Sequence, residues 1–107
     1  METQAAVSAL SALAQETRLE AFRLLVEAGP AGLPAGEVAS RLDIAPATLS
    51  FHLRTLLHAG LCGARRNGRS IVYAANFEAM GSLLGYLSDN CCGGAPERCL
   101  PRAAQHR

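Results

Sequence analysis

The sequence has no lysine: all ten of its basic side chains are arginine. Apart from its three histidines, every basic side chain is therefore a planar guanidinium, the side chain best shaped for bidentate contact with a phosphate or a guanine edge. No apolar run is long enough to span a bilayer, so no helix of this chain is expected to cross a membrane. The opening Met-Glu-Thr-Gln carries no basic segment, so no signal peptide is expected, and a cytoplasmic chain with reduced thiols is. Internal repeats and low-complexity stretches are missing too. Excess charge is also lacking, since nine acids against ten arginines leave a net +1. The deficit that matters is local. Between Asp43 and Glu78 there is no acidic residue, yet Arg54, Arg65, Arg66 and Arg69 lie there. That segment predicts a basic surface inside a nearly neutral protein.

What is present starts with size. The 107 residues suit one domain, and their 50% apolar content fits a folded chain. A domain this small buries a modest fraction of its surface, for which dimerisation is a common remedy.

The chain is organised around Pro46–Gly60. Pro46 suits a first helical turn and Gly60 the left-handed residue just past a helix end. Leu49, Leu53, Leu56 and Leu57 form one apolar stripe. The opposite face carries Ala47, Ser50, Phe51, Arg54 and His58, with Thr48 and Thr55 at its edge. Hydroxyls, one guanidinium and one ring, with no acid among them, are what a DNA major groove accepts. The plain alternative is an ordinary amphipathic helix with one stray Phe.

The flanking sequence favours the DNA interpretation. An Ala- and Leu-rich helix is predicted over residues 5–14. A stronger one starts at Gln15-Glu-Thr17 and runs to about Ala28, with Leu19, Phe22, Leu25 and Val26 on its core face. Residues 31–34 are expected to be a turn, and residues 35–42 a short helix with Val38, Ala39 and Leu42 inward. Asp43-Ile-Ala45 then links it to the Pro46 helix, although the usual turn glycine is absent. Short helix, tight turn and longer polar-faced helix outline a helix-turn-helix. Next, residues 61–66 and 69–74 flank Asn67-Gly68, which predicts a type I′ hairpin with Arg65, Arg66 and Arg69 crowded near its tip. Such a hairpin directly after a recognition helix has the character of a wing. Asn76 caps a last helix over about residues 77–90, whose apolar face is Phe77, Met80, Leu83, Leu84 and Leu87. One small domain covers only part of that face. The rest, with the first helix, is expected to form a dimer seam that sets two recognition helices on adjacent half-sites.

Four cysteines remain. Cys62, in apolar surroundings, is expected to be packing. Cys91 and Cys92 end the last helix, Gly93-Gly94 break it, and Cys99 follows. Three thiolates without an oxygen ligand select a soft ion and suit a three-coordinate pyramidal centre such as trivalent arsenic or antimony. Tetrahedral zinc wants four ligands, which His106 would complete, so zinc or cadmium stays open. An incidental thiol-bearing tail, or a redox pair, would also account for three cysteines placed this way.

Together these residues resemble a known family. Ser50-Phe-His52-Leu53, then Leu56 and Ala59-Gly60-Leu61, resembles the S-x-H-L…L…A-G-L recognition helix of the ArsR/SmtB metalloregulators. Glu16-Thr17-Arg18-Leu19 through Leu24-Leu25 resembles that family's second helix, and Asn67-Gly68-Arg69 with Tyr73 its wing. The resemblance runs from about residue 6 to residue 92. It implies a dimeric winged-helix repressor released from its operator by an inducing ion. Many arsenic sensors of the family carry C-x-C in the helix before the recognition helix, and residues 35–42 contain no cysteine. The C-terminal cysteines resemble instead a subgroup that senses arsenite there. The carboxylate and His sites of the family's zinc sensors are not recognisable in the last helix.

The expectation is thus a mainly α chain with a β-hairpin wing: a winged helix-turn-helix, dimeric through its first and last helices. Residues 1–92 form the DNA-binding and dimerisation domain, and residues 93–107 a tail carrying the third inducer-binding cysteine. Thr48, Ser50, Phe51, His52 and Arg54 are the candidate operator contacts from the helix. For His52 the alternative is partial burial and orientation of its neighbours. Arg65, Arg66 and Arg69 contact phosphate or minor groove from the wing. Cys91, Cys92 and Cys99 bind As(III) or Sb(III), with no permanent cofactor. A zinc, cadmium or lead sensor competes within the same class. A thiol enzyme such as a small arsenate reductase competes from another, but it needs a thiolate-stabilising loop or a C-x-x-C at a helix N-terminus.

Overall fold

The computed structural model describes residues 1–94; Cys99 and His106 lie outside the described residues. The order of elements is α1 (Thr3–Leu13), α2 (Glu16–Ala28), β1 (Leu33–Pro34), α3 (Ala35–Leu42), α4 (Pro46–His58), β2 (Cys62–Asn67), β3 (Ser70–Ala75) and α5 (Phe77–Ser88). The strands form one antiparallel sheet in the order β1-β3-β2. This is a winged helix-turn-helix.

One apolar core joins the elements. Ala6, Ala9 and Ala12 of α1 are buried, and their small side chains let α1 lie close on α2 and α4. Phe22 and Leu25 come from α2, Val38 and Ala39 from α3, and Leu49, Leu53 and Leu56 from α4. Each fully buried leucine contributes about 1.5–3 kcal/mol relative to exposure, so the α4 stripe is what pins the recognition helix to the body. Its two ends are set as their residues require. Pro46 occupies the first turn, and Gly60 takes φ +78°. Asn76 fastens the next element: its Oδ1 accepts from the Ala79 N–H at 3.1 Å, and its Nδ2 donates to the Gly60 carbonyl at 3.0 Å. The same side chain thus caps α5 and ties it to the end of α4.

The structure departs from the sequence expectation at several places. Leu19, expected in the core, is 45% exposed. Residues 31–34 are more than a turn: a 3-10 turn over Gly29–Ala31 leads into β1, which pairs Leu33 with Tyr73 and Pro34 with Val72. The missing turn glycine between α3 and α4 is replaced by Asp43 at φ +56°, since Asp tolerates the left-handed region better than most residues. Asn67 pairs with Ser70, so the two loop residues of the hairpin are Gly68 and Arg69, one residue later than expected. Gly68 alone of the two has positive φ, which fits a loop with Gly first (type II′) rather than type I′. Helix α5 ends at Ser88, and Cys91–Gly93 form a separate 3-10 turn with Asn90 and Cys92 left-handed.

Gly32 is the one glycine whose lack of a side chain is plainly required. It sits at φ +73°, and a Cβ there would fall on the Tyr73 carbonyl oxygen. Gly32→Ala is expected to destabilise the domain by at least about 1–3 kcal/mol, measured as the urea midpoint of unfolding. A midpoint equal to the parent's would show that β1 is not held as described.

Candidate DNA interface and thiol site

Helix α4 turns Leu49, Leu53 and Leu56 inward and leaves Thr48, Ser50, Phe51 and Arg54 exposed, Phe51 to 61%. His52 differs. It is half-buried on the flank facing α2, where its Nδ1 lies 3.4 Å from Arg18 Nη1. A guanidinium cannot accept a hydrogen bond, so Nδ1 is the acceptor in this contact. Arg18 also donates from Nε to the Ala12 carbonyl at 2.6 Å, which spans the α1–α2 junction. The ring of His52 meets Phe51 edge-on, with centroids 5.6 Å apart. His52 is thus partly buried and in contact with Arg18 and Phe51. The role of Arg18 is not legible in the sequence, because its two partners are set by the fold and leave no local pattern.

The hairpin separates its arginines by face. Cys62, Ala64 and Arg66 pair with Ala75, Tyr73 and Ile71, and Cys62 turns that face toward α4, its Sγ reaching the Leu53 carbonyl at 4.0 Å. Arg65 pairs with Val72 and belongs to the other face. Its Nη2 donates to the Ala31 carbonyl at 2.8 Å, so it braces the wing against the turn after α2. Arg69 sits in the loop. With Ser50 of α4, Ser70, Ile71, Tyr73 and the start of α3 it lines a cleft of about 330 Å³. Ser50 and Arg69 are thereby brought together, while Arg65 gives one of its five donors to the turn after α2.

Cys62 is buried, and burial pushes its thiol up to about 11. At neutral pH it is a protonated, inert group. Beyond α5, the Sγ atoms of Cys91 and Cys92 lie 3.9 Å apart, because the left-handed Cys92 folds the backbone so that adjacent side chains converge. Cys91 is a free thiol, whereas Cys92 is disulfide-bonded. The described part of the candidate inducer site is this pair. Among the described residues no three His, Cys, Asp or Glu side chains gather as a metal set.

Helices α1 and α5 lie side by side, joined by Thr3 Oγ1 and Tyr86 Oη at 2.6 Å. Val7, Leu10, Leu84 and Leu87 are exposed on them, by 42–58%. Of the predicted α5 face only Leu83 is buried within the chain.

Comparison with known proteins places this architecture. A helix-turn-helix domain model matches residues 13–61. The transcriptional activator HlyU of Vibrio cholerae is 30% identical over 87 residues, which is 81% of this chain and 78% of HlyU. The structure of reduced HlyU superposes with a TM-score of 0.65, covering 84% of this chain and 92% of that one. An ArsR-like transcriptional regulator from Rhodococcus sp. RHA1, 28% identical, superposes with a TM-score of 0.71 over 89% of this chain and 85% of that one. The chain belongs to the ArsR/SmtB family of winged-helix transcriptional regulators. A third relative, the uncharacterised HTH-type regulator YceK of Bacillus subtilis, is 39% identical over 59 residues, and the match spans 58% of its length. As an ArsR/SmtB member the protein is a DNA-binding regulator, not an enzyme. Its helix-turn-helix is the Ala35–His58 segment, and its wing is the Cys62–Ala75 hairpin.

Proposed function

We propose that this ArsR/SmtB protein is an arsenite-responsive repressor, which holds operator DNA as a dimer and releases it when As(III) or Sb(III) binds its C-terminal thiols. The observation that carries this is the convergence of Cys91 and Cys92 at the end of α5, the helix whose exposed leucines offer a dimer seam. Two adjacent sulfurs and a third from Cys99, which lies outside the described residues, make an oxygen-free donor set for a soft trivalent ion. Binding there acts on the seam, and a shift of the seam alters the spacing of the two recognition helices. A coupling of about 1–3 kcal/mol weakens operator affinity about 5–150-fold. Thiolate ligation needs these sulfurs reduced. Their closeness, 3.9 Å between Sγ atoms, also favours a second reading, in which thiol oxidation is the input. The test is fluorescence anisotropy of a labelled operator with fully reduced protein, titrated in parallel with arsenite, antimonite, zinc and cadmium, and separately with diamide. Release by arsenite and antimonite alone supports the proposal; release by zinc or cadmium alone, or by diamide alone, overturns it.

The operator face follows from the same geometry. Thr48, Ser50, Phe51 and Arg54 project from α4, Arg66 and Arg69 from the wing, while His52 and Arg65 position those elements. Arg66→Ala and Arg69→Ala are each expected to weaken operator binding and to flatten the slope of log affinity against log salt by about one unit. Arg65→Ala is expected to leave that slope unchanged and to lower the thermal midpoint. The checks are anisotropy at stepped salt and calorimetry. Equal slopes for parent, Arg66→Ala and Arg69→Ala would remove the wing from the interface.

A further inference from the structure

A second polar cleft opens on the other flank of α4. It encloses about 290 Å³ between α1, α2 and the end of α4, and its polar lining is Ser8, Ser11, Arg18, Thr55 and His58. No carboxylate lines it. Arg18 spends Nε on the Ala12 carbonyl and one Nη1 proton on His52. A guanidinium has five N–H donors, so three stay uncommitted to the protein. Among the described residues no buried side-chain nitrogen or oxygen lacks a partner, so the unpartnered Nη2 of Arg18 is not buried, and Arg18 lines the cleft. The hydroxyls of Ser8 and Ser11 belong to exposed residues of α1. A guanidinium and hydroxyl donors without an acid fit a tetrahedral oxyanion.

Position decides which oxyanion. Ser50 lines the wing cleft and Thr55 lines this one. Five residues turn them about 140° apart around the helix, so the two clefts bracket the exposed face that carries Phe51 and Arg54. A helix lying in a major groove about 12 Å wide runs between two phosphate backbones. The wing cleft meets one of them. We propose that the α1–α4 cleft seats a phosphate of the other backbone, with the Arg18 guanidinium and the Ser8 and Ser11 hydroxyls as donors. This rests on the DNA-contact reading of α4 and the wing. It gives α1, a helix of the dimer seam, a direct hold on DNA.

The experiment places a carboxylate in the cleft. Ser11→Asp is compared with Arg23→Gln, which changes net charge by the same unit outside the cleft, and with Arg66→Ala in the wing. Circular dichroism and sedimentation establish that each variant keeps its fold and assembly, and His58→Glu serves in place of Ser11→Asp if that variant does not. Operator affinity is expected to fall about tenfold or more for the cleft variant and to stay near the parent's for Arg23→Gln. Cleft and Arg23 variants that bind alike while Arg66→Ala is weakened would overturn this inference alone; a parent-like Arg66→Ala would overturn the operator-face reading beneath it. Inorganic phosphate, titrated without DNA and followed by amide shifts of Ser11 and Thr55, separates the sources. Saturable phosphate binding together with unchanged operator affinity of Ser11→Asp assigns the cleft to a free oxyanion and overturns the DNA assignment.

Discussion

A Leu84→Glu variant is expected to sediment as a folded monomer and to lose operator affinity by about 10²-fold or more. Leu84 and Leu87 are each 58% exposed on α5, beside Val7 and Leu10 on α1. In the monomer a glutamate at Leu84 stands in water and disturbs little. In a dimer it is driven into an apolar seam with no partner charge, a cost that outweighs what one leucine contributes there. The loss of DNA binding follows because each half-site alone is weak and pairing supplies the avidity. Leu83 makes the contrast. It is 6% exposed and belongs to the chain's own core, so Leu83→Glu is expected to unfold the domain rather than split a dimer. Sedimentation velocity, circular dichroism and anisotropy measured together decide the matter. A Leu84→Glu protein that stays dimeric with parental affinity would place the seam elsewhere.

The second large effect belongs to the thiols. Cys91→Ser and Cys92→Ser are each expected to bind operator like the parent and to lose most of the arsenite response, since neither residue lies in α4 or the wing. Two thiolates hold a trivalent centre less firmly than three, so the roughly 5–150-fold weakening of the operator complex collapses toward no change. Cys62→Ser is the internal control. Its thiol is buried and protonated, and a serine hydroxyl can take the place of the Sγ beside the Leu53 carbonyl. It is expected to retain the response. Anisotropy titrations of reduced parent and variants measure both quantities in one experiment. Normal release from both Cys91→Ser and Cys92→Ser would sink the arsenic reading and leave the regulator intact.

Much of this fold is legible locally. Pro46, Gly60 and Asn76 mark helix ends through their own backbone chemistry, and the leucines of α4 repeat at helical spacing, so those elements match the sequence expectation within a residue or two. What escapes is what depends on distant partners. The two residues of β1 carry no periodicity and become a strand only by pairing with Tyr73 and Val72. Asn67-Gly68 and Gly68-Arg69 are both acceptable hairpin loops, and the register that packs Cys62 and Ala75 on one face selects the second. Leu19 fits the core face of α2 by spacing but remains exposed. Arg65 reads as one more tip arginine until the Ala31 carbonyl, 34 residues away, is seen to hold it. The candidate thiol site is half legible: Gly93 and Gly94 mark a break in the chain beside Cys91 and Cys92, whereas the helix has already ended at Ser88 and the backbone turns left-handed at Asn90 and Cys92 as well as at the glycines.

The strand order has a consequence for how the protein behaves when crowded. With β3 in the middle, the outer edge of β2 has no strand beside it among the described residues and presents a row of backbone donors and acceptors. Such an edge is a template on which a strand of another molecule can add. Apart from Cys62, every residue of β2 is exposed, and two of its six are Arg65 and Arg66. Arg65 turns its guanidinium away to the Ala31 carbonyl, so Arg66 is the positive side chain left to repel an identical edge when DNA-free protein is concentrated.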